Sequence, residues 1–230
     1  MPRCARIEIP GVAFHLTQRG VNHCAIFADD HDRRHFVGLL DDARRRHRVA
    51  LHAWVLMGNH VHMLASAHAE GALGRMMRSL GQRYVQAFNA RHRRSGGLWQ
   101  GRFKACAVEG DGHLLRVIRY IELNPVRAAI ASDPAGWPWS SARDHLGLAT
   151  GSRLDLHPSY LALGRDRGAR ADAWRAVLHE RLDPRESERI RLHLRRQRAL
   201  GEPRFVAMLE AATGRALAPR PLGRRPCAPA

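Results

Sequence analysis

Three features of the sequence predict an α+β fold, an antiparallel sheet with helices packed on one face. Short segments with strand-like character and longer ones with apolar residues at three- and four-residue steps follow one another from residue 6 to residue 124. Two apolar runs meet at Gly58-Asn59, a hairpin signal. A chain of 230 residues with 45% apolar content is long enough to bury a core, and fits one medium domain with an appendage or two small domains.

Residues 6 to 18, ending Ala13-Phe14-His15-Leu16-Thr17-Gln18, read as extended up to the break at Arg19-Gly20, and Val21 to Phe27 adds a short extended piece. From Asp29 the pattern is helical. Acidic residues come first and Arg44 to Arg46 come last, which complements the helix dipole, while Phe36, Leu39 and Leu40 supply an apolar stripe. Ala50 to Met57 is a strand. Gly58-Asn59 is a turn whose residues both tolerate positive φ, and His60 to Ala65 is the returning strand. Both strands are apolar on both sides, which predicts the middle of a sheet.

Glu70 to Arg94 reads as a long helix with Leu73, Met76, Met77, Leu80, Tyr84, Val85 and Phe88 inward, and Lys104 to Glu109 as a strand. His113 to Asn124 is a helix with Leu114, Val117, Ile118 and Ile121 buried, and Pro125 places Asn124 at its end. Trp137 to Arg143 begins a short helix that closes the domain. The order strand, helix, hairpin, helix, strand, helix matches a ferredoxin-like (RRM-like) sheet. Residues 1–147 are thus expected to form this domain and 148–213 a basic helical extension, with helices near 168–181, 185–199 and 202–212. Residues 214–230 read as a flexible basic tail.

Thirty-eight basic residues against 21 acidic ones leave a formal charge of +17, which implies a polyanionic partner, nucleic acid before acidic membrane. There is no apolar run of transmembrane length and the first residues lack the apolar core of a secretion signal, so no membrane partner and a cytoplasmic location are expected. Lys104 is the only lysine. Arginine's planar fork suits phosphates and base edges, although a GC-rich genome produces the same bias. Cys4, Cys24, Cys106 and Cys227 are scattered and read as reduced thiols, not a zinc site.

The chemistry-bearing stretch is His60-Val61-His62. On a strand the two imidazoles share one face and can aim at a common point, such as a metal ion. Alone, the pattern is better explained as two half-buried polar residues among 15 histidines. After the arginine-lined helix, Arg91, Arg93 and Arg94 lead into Ser95-Gly96-Gly97-Leu98-Trp99-Gln100-Gly101-Arg102-Phe103-Lys104. In this stretch Trp99 and Phe103 are placed to stack on bases, with Arg91, Arg93, Arg94, Arg102 and Lys104 as DNA-binding cations that hold phosphates; Trp99 as a core anchor explains the pattern equally well.

The strand His-hydrophobic-His, followed 58 residues after His62 by helical Tyr120 with Asn124 four positions on, resembles the HUH single-tyrosine transposases. Leu98-Trp99-Gln100-Gly101-Arg102-Phe103, Arg119 to Ala128 and Trp137-Pro138-Trp139-Ser140-Ser141 resemble the branch called REP-associated tyrosine transposases, over about residues 5 to 147. The resemblance implies a bacterial, nucleoid-associated enzyme, monomeric or homodimeric, that cleaves single-stranded DNA beside hairpin-forming palindromes. It implies Tyr120 as nucleophile, a 5′-phosphotyrosyl intermediate, and Mg²⁺ or Mn²⁺ held by His60, His62 and Asn124, with Glu122 a less suitable ligand. Tyr84, in the stripe of its own helix, and Tyr160, after Pro158, compete less well. A ferredoxin-like nucleic-acid-binding module without chemistry is the alternative, and a zinc hydrolase would need a third strong ligand such as His113.

Overall fold

The computed structural model describes residues 7–180 and 183–218. Strands β1 (Ala13–Arg19), β2 (Val49–Leu56), β3 (His60–Ala67) and β4 (Lys104–Val108) form one antiparallel sheet in the order β2-β3-β1-β4. Helix α1 (Asp30–His47) joins β1 to β2, and α2 (Ala72–Arg91) joins β3 to β4, which is the ferredoxin-like order. After β4 come α3 (Gly112–Glu122), α4 (Asn124–Arg127), α5 (Ala142–His145), α6 (Pro158–Leu161), α7 (Arg167–His179), α8 (Pro184–Arg196) and α9 (Pro203–Thr213).

The α+β class and the antiparallel sheet are as the sequence indicates, but helices cover both faces of the sheet instead of one. Phe14 and Leu16 of β1, with Val61, Met63 and Ala65 of β3, face the core under α1 and α2. Ala13, Val55 and Leu64 point the other way, against Leu114, Val117, Ile118 and Ile121 of α3 and Ile190 and Leu194 of α8. A sheet apolar on both faces must be covered on both, and the chain beyond β4 supplies the second layer.

Local chemistry accounts for the helix starts. The Asp29 carboxylate accepts from the Asp32 amide and caps α1. Glu8, outside any element, accepts from the amides of Leu73 and Gly74 and so caps α2 from a distance. Phe27, Phe36 and Tyr84 meet edge-on or tilted between the two helices at 5.0–5.7 Å, and the Tyr84 hydroxyl donates to the Ile26 carbonyl.

Two further expectations are corrected. Residues 21–23 form a 3₁₀ turn, not an extended piece, with Asn22 and His23 at positive φ. The reversal between β1 and α1 is too tight for strand. In the hairpin neither Gly58 nor Asn59 adopts positive φ. The Met57 amide donates to the His60 carbonyl at 2.8 Å, and the Gly58 and Asn59 carbonyls accept from the amides of Ile26 and Gly20, so the segment between β1 and α1 holds the turn without a left-handed residue.

Strand β2 lies at the sheet edge, not in the middle, and is apolar on both faces because its edge is shielded. Leu56 N–H donates to the Trp139 carbonyl and Ser141 N–H to the Trp54 carbonyl, while Asp155 N–H donates to the Leu51 carbonyl. At the opposite edge Leu200 N–H donates to the Ala107 carbonyl and Glu109 N–H to the Leu200 carbonyl. The segment after residue 147 is therefore bonded to the sheet itself. Leu217 is buried, and the basic tail beyond Ala218 lies outside the described residues.

Candidate active site

The alternation of β3 sends His60 and His62 to the face covered by α3 and α8, as the sequence indicates. Their ring centroids are 5.0 Å apart and nearly perpendicular. Tyr120 comes down from α3 onto the same spot, with its ring centroid 5.8 Å from that of His62. Helix α3 ends at Glu122 and the break at Leu123 starts α4, so Asn124 sits one turn below the tyrosine, its Nδ2 donating to the Tyr120 carbonyl at 3.2 Å. His60, His62, Tyr120 and Asn124 line one cleft of about 820 Å³.

Arg127 completes the cluster, although the sequence analysis gave it no role. Its guanidinium carbon lies 3.9 Å above the centre of the Tyr120 ring, and Nη2 donates to Asn124 Oδ1 at 2.9 Å. Its Nε and Nη1 are buried without a hydrogen-bond partner. The signal was the three-residue spacing from Asn124, which puts both side chains on one side of a helix.

Burial holds the histidines neutral. It is the largest cause of a His60 pKa of about 4, with Arg19, His23 and Arg127 adding to it. Burial likewise takes His62 well below the ordinary histidine value, helped by His15, His60 and nearby arginines. Neutral imidazoles are the form a metal requires. Among the described residues no group of three or more His, Cys, Asp or Glu side chains is arranged to hold a metal. The donor set fits a hard divalent ion only as two imidazole nitrogens plus oxygens, in which Asn124 Oδ1 already accepts from Arg127.

The ring tautomer of His60 is fixed by its surroundings. Asn59 Nδ2 donates to the His23 carbonyl, which leaves Asn59 Oδ1 as an acceptor 2.6 Å from His60 Nδ1. His60 therefore carries its hydrogen on Nδ1 and keeps a lone pair on Nε2.

The competing residues are occupied elsewhere. Tyr84 is in the α1–α2 core and Tyr160 donates to the His145 carbonyl. Buried Glu122 accepts from Ser141, from His145 Nδ1 at 2.6 Å and from Trp174 Nε1 at 2.8 Å, tying α3 to α5 and α7. His113 bonds Glu202 and lines a different cleft.

The predicted nucleic-acid loop divides in two. Arg102 and Lys104 line the cleft of Tyr120. Half-buried Trp99 donates its indole N–H to the Gly81 carbonyl, as the core-anchor explanation has it, and Phe103, expected to stack on bases, is buried in the core. Arg91 is ion-paired to Asp29 and Asp32, Arg94 lies over the Phe88 ring, and exposed Arg93 takes a positive φ; none of the three lines the cleft. Sequence reasoning missed Arg191 and Arg195 of α8, which line the cleft from the far side together with Arg19 of β1.

The stretch that carries the sheet and the cleft, residues 9–124, sets a class, the transposases, enzymes that cut and join nucleic acid. Residues 9–124, which include both strand histidines, Tyr120 and Asn124, match the model of the family described as Transposase IS200 like, and the chain belongs to that family. A solved structure described as a REP-associated tyrosine transposase bound to a REP hairpin shares the fold with a TM-score of 0.55. It is 19% identical, and the match covers 68% of this chain and 95% of that one. A second, from Deinococcus radiodurans R1 and also described in transposase terms, has a TM-score of 0.37 at 17% identity over 56% of this chain and 92% of its own. No curated protein sequence matches significantly. Among the described residues no helix is long and apolar enough to cross a membrane.

Proposed function

We propose that this transposase nicks and rejoins single-stranded DNA at hairpin-forming palindromic repeats, with Tyr120 as the nucleophile. The observation that carries the reading is the packing of Tyr120 against His62, whose ring neighbours that of His60, in one cation-lined cleft. The Tyr120 oxygen attacks a backbone phosphorus and forms a phosphotyrosine ester with the 5′ side, while the bond to the 3′ oxygen breaks and that oxygen takes up a proton. Ester replaces ester, so the strand is rejoined without an external energy source.

His60 and His62 would hold a divalent cation, Mg²⁺ or Mn²⁺, with the remaining lone pair of Asn124 Oδ1 as third donor. Bound there, the ion would polarise a non-bridging phosphate oxygen and so favour attack by the phenol oxygen on the phosphorus. Arg127 orients the nucleophile by stacking on its ring and holds Asn124 beneath it. Arg19, Arg102, Lys104, Arg191 and Arg195 supply the positive charge along which a phosphate backbone would run. The hairpin in the similar solved structure supports a hairpin substrate here.

The test is to incubate the protein with hairpin-bearing single strands, with Mn²⁺ or with chelator, and look for a denaturation-resistant adduct. Wild type and Tyr84→Phe form it with metal, whereas Tyr120→Phe and the chelated sample do not. An adduct persisting in Tyr120→Phe would end the assignment, and no metal-dependent adduct across many hairpins would leave a binding module.

A further inference from the structure

His15 lies on β1, the neighbour of β3, where the register sets it opposite Leu64 and Thr17 opposite His62. It points to the same face as His60 and His62, and only 1% of its surface is exposed. Its Nε2 is 2.9 Å from His62 Nδ1. A buried imidazole bonded to another buried imidazole has no evident use in packing, because a phenylalanine or leucine would fill that space without a polar atom to satisfy.

The contact is directional. One hydrogen lies between the two rings. If it rides on His15, then His62 keeps its own hydrogen on Nε2 and cannot ligate through that atom. If it rides on His62 Nδ1, then His62 Nε2 is a bare lone pair on a ring that lines the cleft. His60 shows which state the site is built for. Its Nδ1–H donates to Asn59 Oδ1, which can only accept, and the lone pair is left on Nε2. Both strand histidines thus have Nδ1 engaged, by one residue each and from different elements.

We infer that His15 and Asn59 are paired positioning residues. Each takes the Nδ1 hydrogen of one strand histidine, so that both rings present Nε2 lone pairs to the same point. This rests on the proposed reading that His60 and His62 hold a divalent cation. It adds that their tautomers and ring angles are set in advance by the protein, which strengthens the ligands and lowers the ordering needed on binding.

Nitrogen-15 NMR of the histidine rings and Mn²⁺ titration followed by electron paramagnetic resonance, both on the full chain, test this without turnover. In the metal-free protein His62 is expected as the Nδ1–H tautomer, with Nε2 unprotonated; finding hydrogen on Nε2 overturns the inference. His15→Leu is expected to weaken Mn²⁺ binding by about 10- to 100-fold, the usual effect of losing such a partner. His15→Gln, whose amide oxygen accepts from His62 Nδ1, is expected to restore most of it. Mn²⁺ affinity in a His15→Leu protein of native melting temperature that equals wild type overturns the positioning role. Should wild type bind no Mn²⁺, the metal reading fails, and the His62 tautomer alone then decides whether His15 takes its hydrogen.

Discussion

At the scale of single residues, the site was readable where a period settles it. Strand alternation places His60 and His62 on one face whatever the rest of the fold does, and a four-residue step puts Asn124 beneath Tyr120. Arg127 was readable only in part: its three-residue step from Asn124 shows which side it takes, but its place over the Tyr120 ring depends on the break at Leu123 that turns α4. His15 was hidden for another reason: its alternation is visible, but the strand beside it is a property of the whole sheet. Trp99 was compatible with stacking or core, and only the path of the loop over α2 decided for core, while Phe103 was read as a stacking ring and is buried.

Arg127→Ala is expected to slow adduct formation by roughly 100-fold, the usual cost of one preorganised electrostatic contact. Arg127→Lys should not rescue it, since a lysine cannot stack face to face and hold Asn124 as well. Rates measured on one hairpin substrate check both. Glu122→Ala leaves Trp174, Ser141 and His145 donors without their buried acceptor, and is expected to cost on the order of 3 kcal/mol in chemical unfolding. A variant as stable as wild type would show that the carboxylate does not secure these helices.

At the scale of elements, helix boundaries in the C-terminal third followed from the sequence, because proline and aspartate mark their starts. Asp166 and Asp183 cap α7 and α8, and Pro184 and Pro203 stand in the first turns of α8 and α9. Their destination was not legible, for apolar stripes do not say which surface they will cover. The structure brings α8 over the sheet, where Arg191 and Arg195 form a wall of the cleft. Replacing both with alanine is expected to weaken single-strand binding across sequences alike. It should also flatten the dependence of log K on log salt by roughly 1.4, the release expected for two phosphate contacts. An unchanged slope would place the bound strand elsewhere. The edge position of β2 was misjudged because burial on two faces is the mark of an inner strand, and here the Trp139–Ser141 segment and Asp155 imitate a neighbour.

At the scale of the whole molecule, several buried histidines make stability depend on acid. His52 lies between the Asp155 carbonyl and the Ser66 hydroxyl, and burial lowers its pKa to about 4. Between pH 6.5 and about 4 the unfolded chain takes up a proton that the folded chain refuses. Stability from this group is therefore complete above pH 6.5 and is lost as pH falls through that window. Denaturant unfolding at pH 7 and pH 4.5 should show the loss, and His52→Gln should make it shallower.

The two sheet edges are both covered by backbone from later in the chain. An open edge is a row of unpaired amides and carbonyls that recruits any strand it touches, including an identical one. Here one end of the ladder is met by Trp139, Ser141 and Asp155, and the other by Leu200, residues that arrive from beyond the first 130 positions of the chain. The segments that follow residue 130 thus occupy backbone groups at which a further strand would otherwise add to either side of the sheet.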